Sequence, residues 1–241
     1  MAKTLHPISV RRLAETRSVV TFNFELESGI EYQPGQYVTV QLAGVEDPQG
    51  PRRPFSLSSS PTEGRRLSIT TRMTDSPFKI RLNELSERGA LDELKMRGPM
   101  GEFNLDTERA AVMIAGGIGI TPFRSMLRCA ADRGLGLQVA LIYSNSTPAE
   151  IVFKRELDDI ARRWRHLMIV YTITRPAEAK NWAGKTGRID ADLIREHARA
   201  LNAPLYYFCG SPAMVEGMSR LIKEELGIAA EDLHAEKFTG Y

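Results

Sequence analysis

The sequence predicts two domains: an N-terminal antiparallel β-barrel over residues 1–105 and a C-terminal α/β domain with a parallel sheet over residues 106–241. In the first part, apolar residues recur at every second position in short runs separated by turn formers, which is typical of antiparallel strands. In the second part, short apolar runs alternate with stretches of helical spacing. The length of 241 residues also suits two domains, since one domain takes about 150 residues.

Three alternating segments carry the barrel prediction. Residues 20–26, 38–42 and 67–71 place apolar side chains on one face and polar ones on the other. Short alternating strands of this kind predict an antiparallel sheet that closes into a barrel. Residues 76–86 depart from the pattern, because their apolar side chains have helical spacing. This segment is predicted to be a short helix.

Four apolar runs predict the strands of the parallel sheet: residues 110–115, 139–143, 168–173 and 205–209. Three helix starts follow such runs, because Thr121, Thr147 and Ser211 each place a capping hydroxyl before a proline. In a parallel α/β sheet, helix N-termini gather beyond the carboxyl ends of the strands and favour anions there. We therefore expect a phosphate-bearing ligand at that edge.

Composition excludes several classes of function. The 32 basic residues nearly cancel the 30 acidic ones, and without a Lys/Arg block no nucleic-acid partner is predicted. Two cysteines, Cys129 and Cys209, are too few for a four-thiolate iron–sulfur cluster. The histidines lack metal-ligand spacing, so no metal is predicted. No apolar run approaches the roughly 20 residues of a membrane helix and no secretory signal is evident, so we expect a cytoplasmic protein that does not bind membranes.

A glycine-rich turn directly follows the first apolar run of the second domain. Gly116, Gly117 and Gly119 allow the backbone to approach a ligand closely before the chain enters the helix with Thr121 and Pro122. The turn is not the G-x-G-x-x-G fingerprint, since Pro122 stands where its third glycine would be. The strand before it and the helix after it favour a ligand-binding turn.

A second motif lies on a predicted barrel strand. Arg53 can bind a pyrophosphate, Phe55 can stack on a ring, and Ser56 can meet a ring nitrogen. Strand alternation places Arg53 and Phe55 on one face and Ser56 on the other. Taken alone, the segment also fits an exposed, serine-rich edge strand.

In their order along the chain, the two motifs resemble the ferredoxin–NADP reductase superfamily. In that family an Arg-x-aromatic-Ser/Thr strand binds flavin, and a Gly-Gly-x-Gly-x-Thr-Pro turn opens the nicotinamide domain. The resemblance covers nearly the whole chain and includes five further segments: residues 33–37, 98–103, 187–189, 209–212 and 236–241.

The resemblance implies that the barrel binds FAD. Arg53 would hold the pyrophosphate, Phe55 would pack on the flavin and Ser56 would hydrogen-bond near flavin N5. The remaining residues assigned to the flavin are Pro54, Leu57 and Ser58 on the same strand, and Thr71, Met73 and Ser76 in a second segment. The family more often has tyrosine in place of Phe55, and its usual Gly-Asp appears here as Gly89-Ala90.

The resemblance also implies that the second domain binds NADPH or NADH. Gly116, Gly117, Gly119, Thr121 and Pro122 would line the dinucleotide. Cys209 would lie near nicotinamide C4 and flavin N5, with Gly210 beside it.

The choice between the two nucleotides stays open. Ser144 and Asn145 precede Ser146, where related chains often have an arginine, and no acidic residue follows the strand to select an unphosphorylated ribose. Arg175, or residues 154 and 155, could bind a 2′-phosphate instead.

The chain end carries two aromatic residues, Phe238 and Tyr241. In part of the family a terminal aromatic residue covers the flavin, and this role is assigned here to Tyr241, with Phe238 beside the cofactor. Glu236 resembles a carboxylate that approaches the active site. The residues predicted to be catalytic are therefore Ser56, Cys209, Glu236 and Tyr241.

The function that the resemblance implies is an FAD-dependent NAD(P)H oxidoreductase. It would pass electrons to a separate one-electron carrier: a ferredoxin, a flavodoxin or an oxygenase component. Two alternatives remain, a flavin reductase that releases free reduced flavin and an FAD-containing electron-transfer subunit of a larger complex. We expect a monomer.

Overall fold

The computed structural model of the protein describes residues 2–238. The chain forms two compact units. The first comprises the residues up to Leu105 together with Arg124–Cys129, and the second comprises Asp106–Phe123 and the residues from Ala130 onward. Within residues 2–238, every helix is too short or too polar to cross a lipid bilayer.

The first unit is built from antiparallel strands and one α-helix. The strands are β1 (Lys3–Leu5), β2 (Pro7–Ala14), β3 (Val19–Leu26), β4 (Tyr37–Leu42), β5 (Arg52–Ser56), β6 (Arg66–Arg72) and β7 (Leu94–Met100), and helix α1 (Pro77–Arg88) connects β6 to β7. They form two sheets with the orders β1-β7-β4-β5 and β2-β3-β6. The predicted antiparallel unit is thus confirmed.

The strand pairings described for this unit do not close the two sheets into the predicted barrel. The two sheets are joined by an isolated bridge between Leu57 and Ile69. Beyond it, side chains replace part of the backbone ladder: Ser58 Oγ lies 2.8 Å from Thr70 Oγ1, and Ser59 Oγ accepts a 2.9 Å hydrogen bond from the Ser68 N–H. Strand alternation fixes which face is buried, but it does not fix which strands pair.

Helix α1 confirms the helix predicted over residues 76–86. Phe78, Leu82 and Leu85 are buried and belong to the same apolar core as the inward side chains of β3 and β4. The helix therefore covers the core of the first unit, and its N-terminus is fixed by that packing.

The second unit is a six-stranded parallel sheet. Its strands are β8 (Ala111–Gly116), β9 (Val139–Asn145), β10 (Leu167–Ile173), β11 (Lys185–Thr186), β12 (Leu205–Gly210) and β13 (Leu233–Lys237). Its helices are α2 (Ile120–Asp132), α3 (Lys154–Arg163), α4 (Ala191–Ala198) and α5 (Pro212–Arg220). All four apolar runs predicted as strands are confirmed.

The strand order β11-β10-β9-β8-β12-β13 reverses direction at β8. From β8 the chain runs outward through β9 and β10 to β11 and then returns to β12, on the opposite side of β8 from β9. The carboxyl ends of β8 and β12 therefore border a crevice, the usual ligand site of open parallel sheets.

Of the three predicted helix caps, only Ser211 caps an α-helix. Its Oγ accepts a 3.4 Å hydrogen bond from the Met214 N–H. Thr121 instead lies inside α2, because the preceding turn already winds into the helix at Ile120. Thr147 precedes a single 3₁₀ turn, Pro148–Glu150, and its side chain makes no capping bond. The hydroxyl-proline pattern does not distinguish one such turn from a full helix.

The parallel sheet supports a stability prediction. Leu141 in β9 is 0% exposed, so Leu141→Ala should lower the free energy of unfolding by about 2–5 kcal/mol through lost transfer energy and cavity formation. Met168 in β10 is 41% exposed, so Met168→Ala is a control with an expected loss below about 1 kcal/mol. Urea denaturation measures both. Equal losses would contradict the assignment of this core.

Candidate functional site

Strand β5 presents the first predicted site as alternation requires. Ser56 is buried, whereas Arg53 and Phe55 are partly exposed on the opposite face. Arg53 Nη1 donates hydrogen bonds to three backbone carbonyl oxygens, those of Gln49, Gly50 and Arg52, at 2.8, 2.8 and 2.9 Å. These bonds orient the guanidinium group before any ligand arrives.

The Asp47 carboxylate lies at the centre of this site. Its Oδ1 forms an ion pair with Arg53 Nη2 and accepts a 2.9 Å bond from the Gln49 N–H. Its Oδ2 accepts a 2.8 Å bond from Ser76 Oγ and a 3.1 Å bond from the Phe78 N–H. One carboxylate thus joins the loop before β5, the strand itself and the start of α1.

Asp47 is ionised at neutral pH. The hydrogen bond from the Gln49 N–H is the largest influence and lowers the pKa of Asp47 to about 2, although burial opposes it. The bonds from Ser76 and Phe78 and the charge of Arg53 act in the same direction as Gln49. This role of Asp47 was not predicted, because the residue stands in an Asp-Pro-Gln-Gly stretch that is typical of an ordinary turn.

A pair of aromatic rings adjoins the cradle formed by Arg53, Ser76 and the Phe78 N–H. The rings of Phe55 and Phe78 have centroids 6.0 Å apart at an angle of 32°. The Arg53 guanidinium carbon lies 5.2 Å from the centroid of the Phe78 ring. The cradle holds an anion, the Asp47 carboxylate, on the residues to which the sequence assigned a flavin phosphate. These residues therefore fit the diphosphate of FAD.

The other residues assigned to the flavin have varied surroundings. Leu57 is fully buried in the core, and the Ser58 hydroxyl is bonded to Thr70. Thr71 is buried and Met73 packs against the same core, whereas Pro54 is exposed. For Leu57 and Ser58 these contacts indicate a packing role, and contact with the flavin stays a prediction.

In the second unit, the glycine turn follows β8 as predicted. Gly117 has a φ of +51°, in the left-handed region. At Gly119 an added Cβ would lie 2.2 Å from the carbonyl oxygen of Cys209. The turn therefore passes against the end of β12, and only glycine fits there. Thr121 and Pro122 are buried in the first turn of α2.

Cys209 and Glu236 are neighbours in the sheet. Cys209 pairs with Ala115 of β8 on one side and with Glu236 of β13 on the other. Burial, with a smaller contribution from the Glu236 charge, raises the pKa of the Cys209 thiol well above its usual range. The thiol is therefore neutral, and Cys209 is not a thiolate nucleophile.

Asn145 at the end of β9 is 5% exposed. Neither the nitrogen nor the oxygen of its side-chain amide has a hydrogen-bond partner among residues 2–238. Buried polar groups are nearly always satisfied, so an isolated amide at the carboxyl end of a strand indicates a missing partner.

Two further predicted residues lie at the same edge as Asn145. Ser144 pairs with Gly116 in the sheet. The Arg175 N–H donates a 2.9 Å bond to the Ser146 carbonyl oxygen. The Arg175 side chain is largely exposed, 3.7 Å from Glu178. The sheet thus brings together the ends of β8, β9 and β10, as a dinucleotide site requires.

Of the two aromatic residues predicted to lie near the flavin at the chain end, the structure describes only Phe238. The Phe238 N–H donates a 2.9 Å bond to the Gly210 carbonyl oxygen, which continues the pairing of β13 with β12. Tyr241, the residue assigned to cover the flavin, lies outside the described residues.

The chain thus combines an anion cradle on an antiparallel unit with a glycine turn on a parallel sheet. Residues 113–220 match the family described as "Oxidoreductase NAD-binding domain". Over most of its length the chain is similar to members of the ferredoxin–NADP reductase superfamily.

Relatives of known name support this assignment. Ferredoxin–NADP reductase B of Sorangium cellulosum is 29% identical, over 96% of this chain and 95% of the relative. The glycine betaine monooxygenase reductase subunit of Chromohalobacter salexigens is 30% identical over 95% of this chain, which spans 62% of that subunit. The FAD/NAD-binding domain of a Vibrio cholerae nitric oxide dioxygenase has the same fold, with a TM-score of 0.77, 21% identity and 98% coverage of both chains.

The Asp47 contacts predict an acid-dependent loss of stability. Because the pKa of Asp47 is lowered from 3.8 to about 2, its stabilising contribution is complete above the unfolded-state value and disappears as the pH falls through 2. Asp47→Asn should therefore flatten part of the decline in unfolding free energy between these pH values, as followed by denaturant titrations. Asp75→Asn, at an exposed position, should keep the wild-type slope. The same slope in all three proteins would refute the assignment.

The turn at Gly119 predicts a second stability effect. Gly119→Ala should lower the unfolding free energy by about 1–3 kcal/mol, because backbone must shift to admit the methyl group. Gly217 in α5 is the matched control, since nothing lies within 4 Å of an added Cβ there. Gly217→Ala should instead raise stability by about 0.5–1 kcal/mol. Thermal unfolding measures both, and a harmless Gly119→Ala would be incompatible with the close approach to Cys209.

Proposed function

We propose that this chain is an FAD-dependent NAD(P)H oxidoreductase that passes electrons to a separate one-electron carrier. The observation that carries the proposal is the pre-formed anion cradle of Arg53, Ser76 and the Phe78 N–H. The glycine turn at the carboxyl end of β8 supplies the second cofactor site in the same chain.

In this proposal, Arg53 and Ser76 bind the diphosphate, and Phe55 packs on the flavin with Ser56 near its N5. Gly116, Gly117 and Gly119 receive the nicotinamide dinucleotide, and the side-chain amide of Asn145 forms hydrogen bonds with this nucleotide. When bound, the nicotinamide supplies a hydride and the flavin supplies the conversion of an electron pair into single electrons. The protein contributes orientation and charge, and neutral Cys209 contributes a weak hydrogen-bond donor beside Glu236.

The acceptor is proposed to be another protein. The names of the relatives include a ferredoxin–NADP reductase and the reductase subunit of a monooxygenase. A ferredoxin, flavodoxin or oxygenase component would fill this role for the present chain. Cys129 and Cys209 do not form a disulfide, as is usual in the cytoplasm, and we propose a cytoplasmic monomer.

A flavin reductase that releases its flavin is the second candidate. The cradle favours the first proposal, because Arg53, Ser76 and the Phe78 N–H could together bind one phosphate, which favours retention of FAD over its release.

Replacement of Arg53 tests the proposal. Arg53→Ala should weaken FAD binding about 10- to 100-fold, since a charge-assisted contact to the diphosphate is lost. Oxidation of NAD(P)H with ferricyanide should fall in parallel and recover at high FAD. Arg52→Ala is the control, because Arg52 is exposed and its Nη2 donates a 2.9 Å hydrogen bond to Gln41 Oε1 on β4. A wild-type protein that stays colourless and binds no added FAD would refute the proposal.

A further inference from the structure

The Asp47 carboxylate uses the donors that a flavin phosphate needs. Arg53 Nη2 and the Gln49 N–H bond to Oδ1, and Ser76 Oγ and the Phe78 N–H bond to Oδ2. The side chain of Asp47 is only 4% exposed. A backbone N–H has a single hydrogen, so Phe78 cannot serve Asp47 and a phosphate fully at the same time.

We propose that Asp47 is an internal anion that occupies the phosphate cradle and must leave it when FAD binds. Asp47 thereby sets the affinity of the protein for phosphorylated flavins. The inference rests on the proposed flavin site and adds to it a residue that determines affinity.

The charge around the cradle explains why a diphosphate can displace the carboxylate. Lys79, in the first turns of α1, is 5% exposed. Burial lowers the pKa of Lys79, the charges of Arg53 and Arg72 lower it further, and Asp47 opposes them. The positive charges of Arg53 and Arg72 therefore repel that of Lys79, and the Asp47 carboxylate attracts it. A dianionic diphosphate compensates this positive excess better than a single carboxylate does.

The loop that carries Asp47 can move without disturbing the core. Asp47 lies between β4 and β5, and its neighbours Glu46, Pro48 and Gln49 are exposed. The turn is closed locally by a 2.7 Å bond from the Gly50 N–H to the Asp47 carbonyl oxygen. Withdrawal of the carboxylate therefore breaks its four hydrogen-bonded contacts and leaves the buried side chains of β4 and β5 in place.

Because a flavin phosphate must replace the Asp47 carboxylate, the apparent affinity for FAD depends on the fraction of molecules in which Asp47 has left the cradle. An observed dissociation constant equals the intrinsic one divided by the fraction of competent molecules. Loss of the Asp47 charge should raise that fraction. FAD and FMN should both respond because both carry phosphate, whereas riboflavin, which has none, should not.

Titration of the flavin-free protein, followed by quenching of flavin fluorescence, tests the inference. Asp47→Asn should bind FAD and FMN at least about fivefold more tightly than the wild type, with riboflavin unchanged within about twofold. Asp75→Asn is the matched control, because it removes the same charge at an exposed position beside Ser76. It should leave all three affinities within about twofold of the wild type.

Lys79→Met tests the charge argument with a side chain of similar length. It should weaken FAD about tenfold and spare riboflavin. An unchanged or weaker FAD affinity in Asp47→Asn would overturn the inference, since Asp47 would then only orient Arg53. A wild-type protein that binds neither FAD nor riboflavin would refute the proposed function instead.

If Asp47→Asn does not fold, hydrogen exchange of the wild-type protein tests whether Asp47 leaves the cradle when FAD binds. FAD should accelerate exchange of the Gln49 amide, because its Asp47 acceptor withdraws, and riboflavin should not. Slower or unchanged Gln49 exchange in the FAD complex would overturn the inference.

Discussion

The ion pair between Asp47 and Arg53 is the contact on which the proposed flavin site depends. A guanidinium group held close to a buried lysine is costly unless an anion accompanies it. Asp47 supplies that anion, and its remaining lone pairs bind Ser76 and the N-terminus of α1. The donors are therefore already arranged around an anion, and in the proposal FAD takes the place that Asp47 leaves.

In the second unit, a glycine at position 119 allows the close packing that positions the predicted dinucleotide site. The turn after β8 passes so close to the Cys209 carbonyl that a single methyl group at position 119 cannot be placed without a shift. This close approach brings the start of α2 to the ends of the central strands. The unsatisfied amide of Asn145 lies at the end of the neighbouring strand. Close packing on one side and an unmet hydrogen-bonding group on the other are what a dinucleotide crevice combines.

Much of this arrangement could be predicted from the sequence, for identifiable reasons. The placement of Arg53 and Phe55 on the strand face opposite Ser56 follows from a period of two, and the four parallel strands follow from their apolar runs. Asp47 could not be predicted, because its contacts with residues 53, 76 and 78 depend on the path of a loop. The described strand pairings do not close the barrel, and the capping roles of Thr121 and Thr147 were wrong, since local patterns determine neither strand pairing nor where a helix begins. The role of Tyr241 stays a prediction.

Anaerobic stopped-flow reduction of the FAD-loaded protein, with NADH and NADPH in separate experiments, tests the central claim most directly. The account predicts that at least one nucleotide bleaches the bound flavin in a single turnover, at a rate that saturates with nucleotide concentration. It also predicts that the reduced protein then passes electrons singly to an added ferredoxin or flavodoxin. A protein that retains FAD but is reduced by neither nucleotide would contradict the account and identify the chain as an electron-transfer subunit.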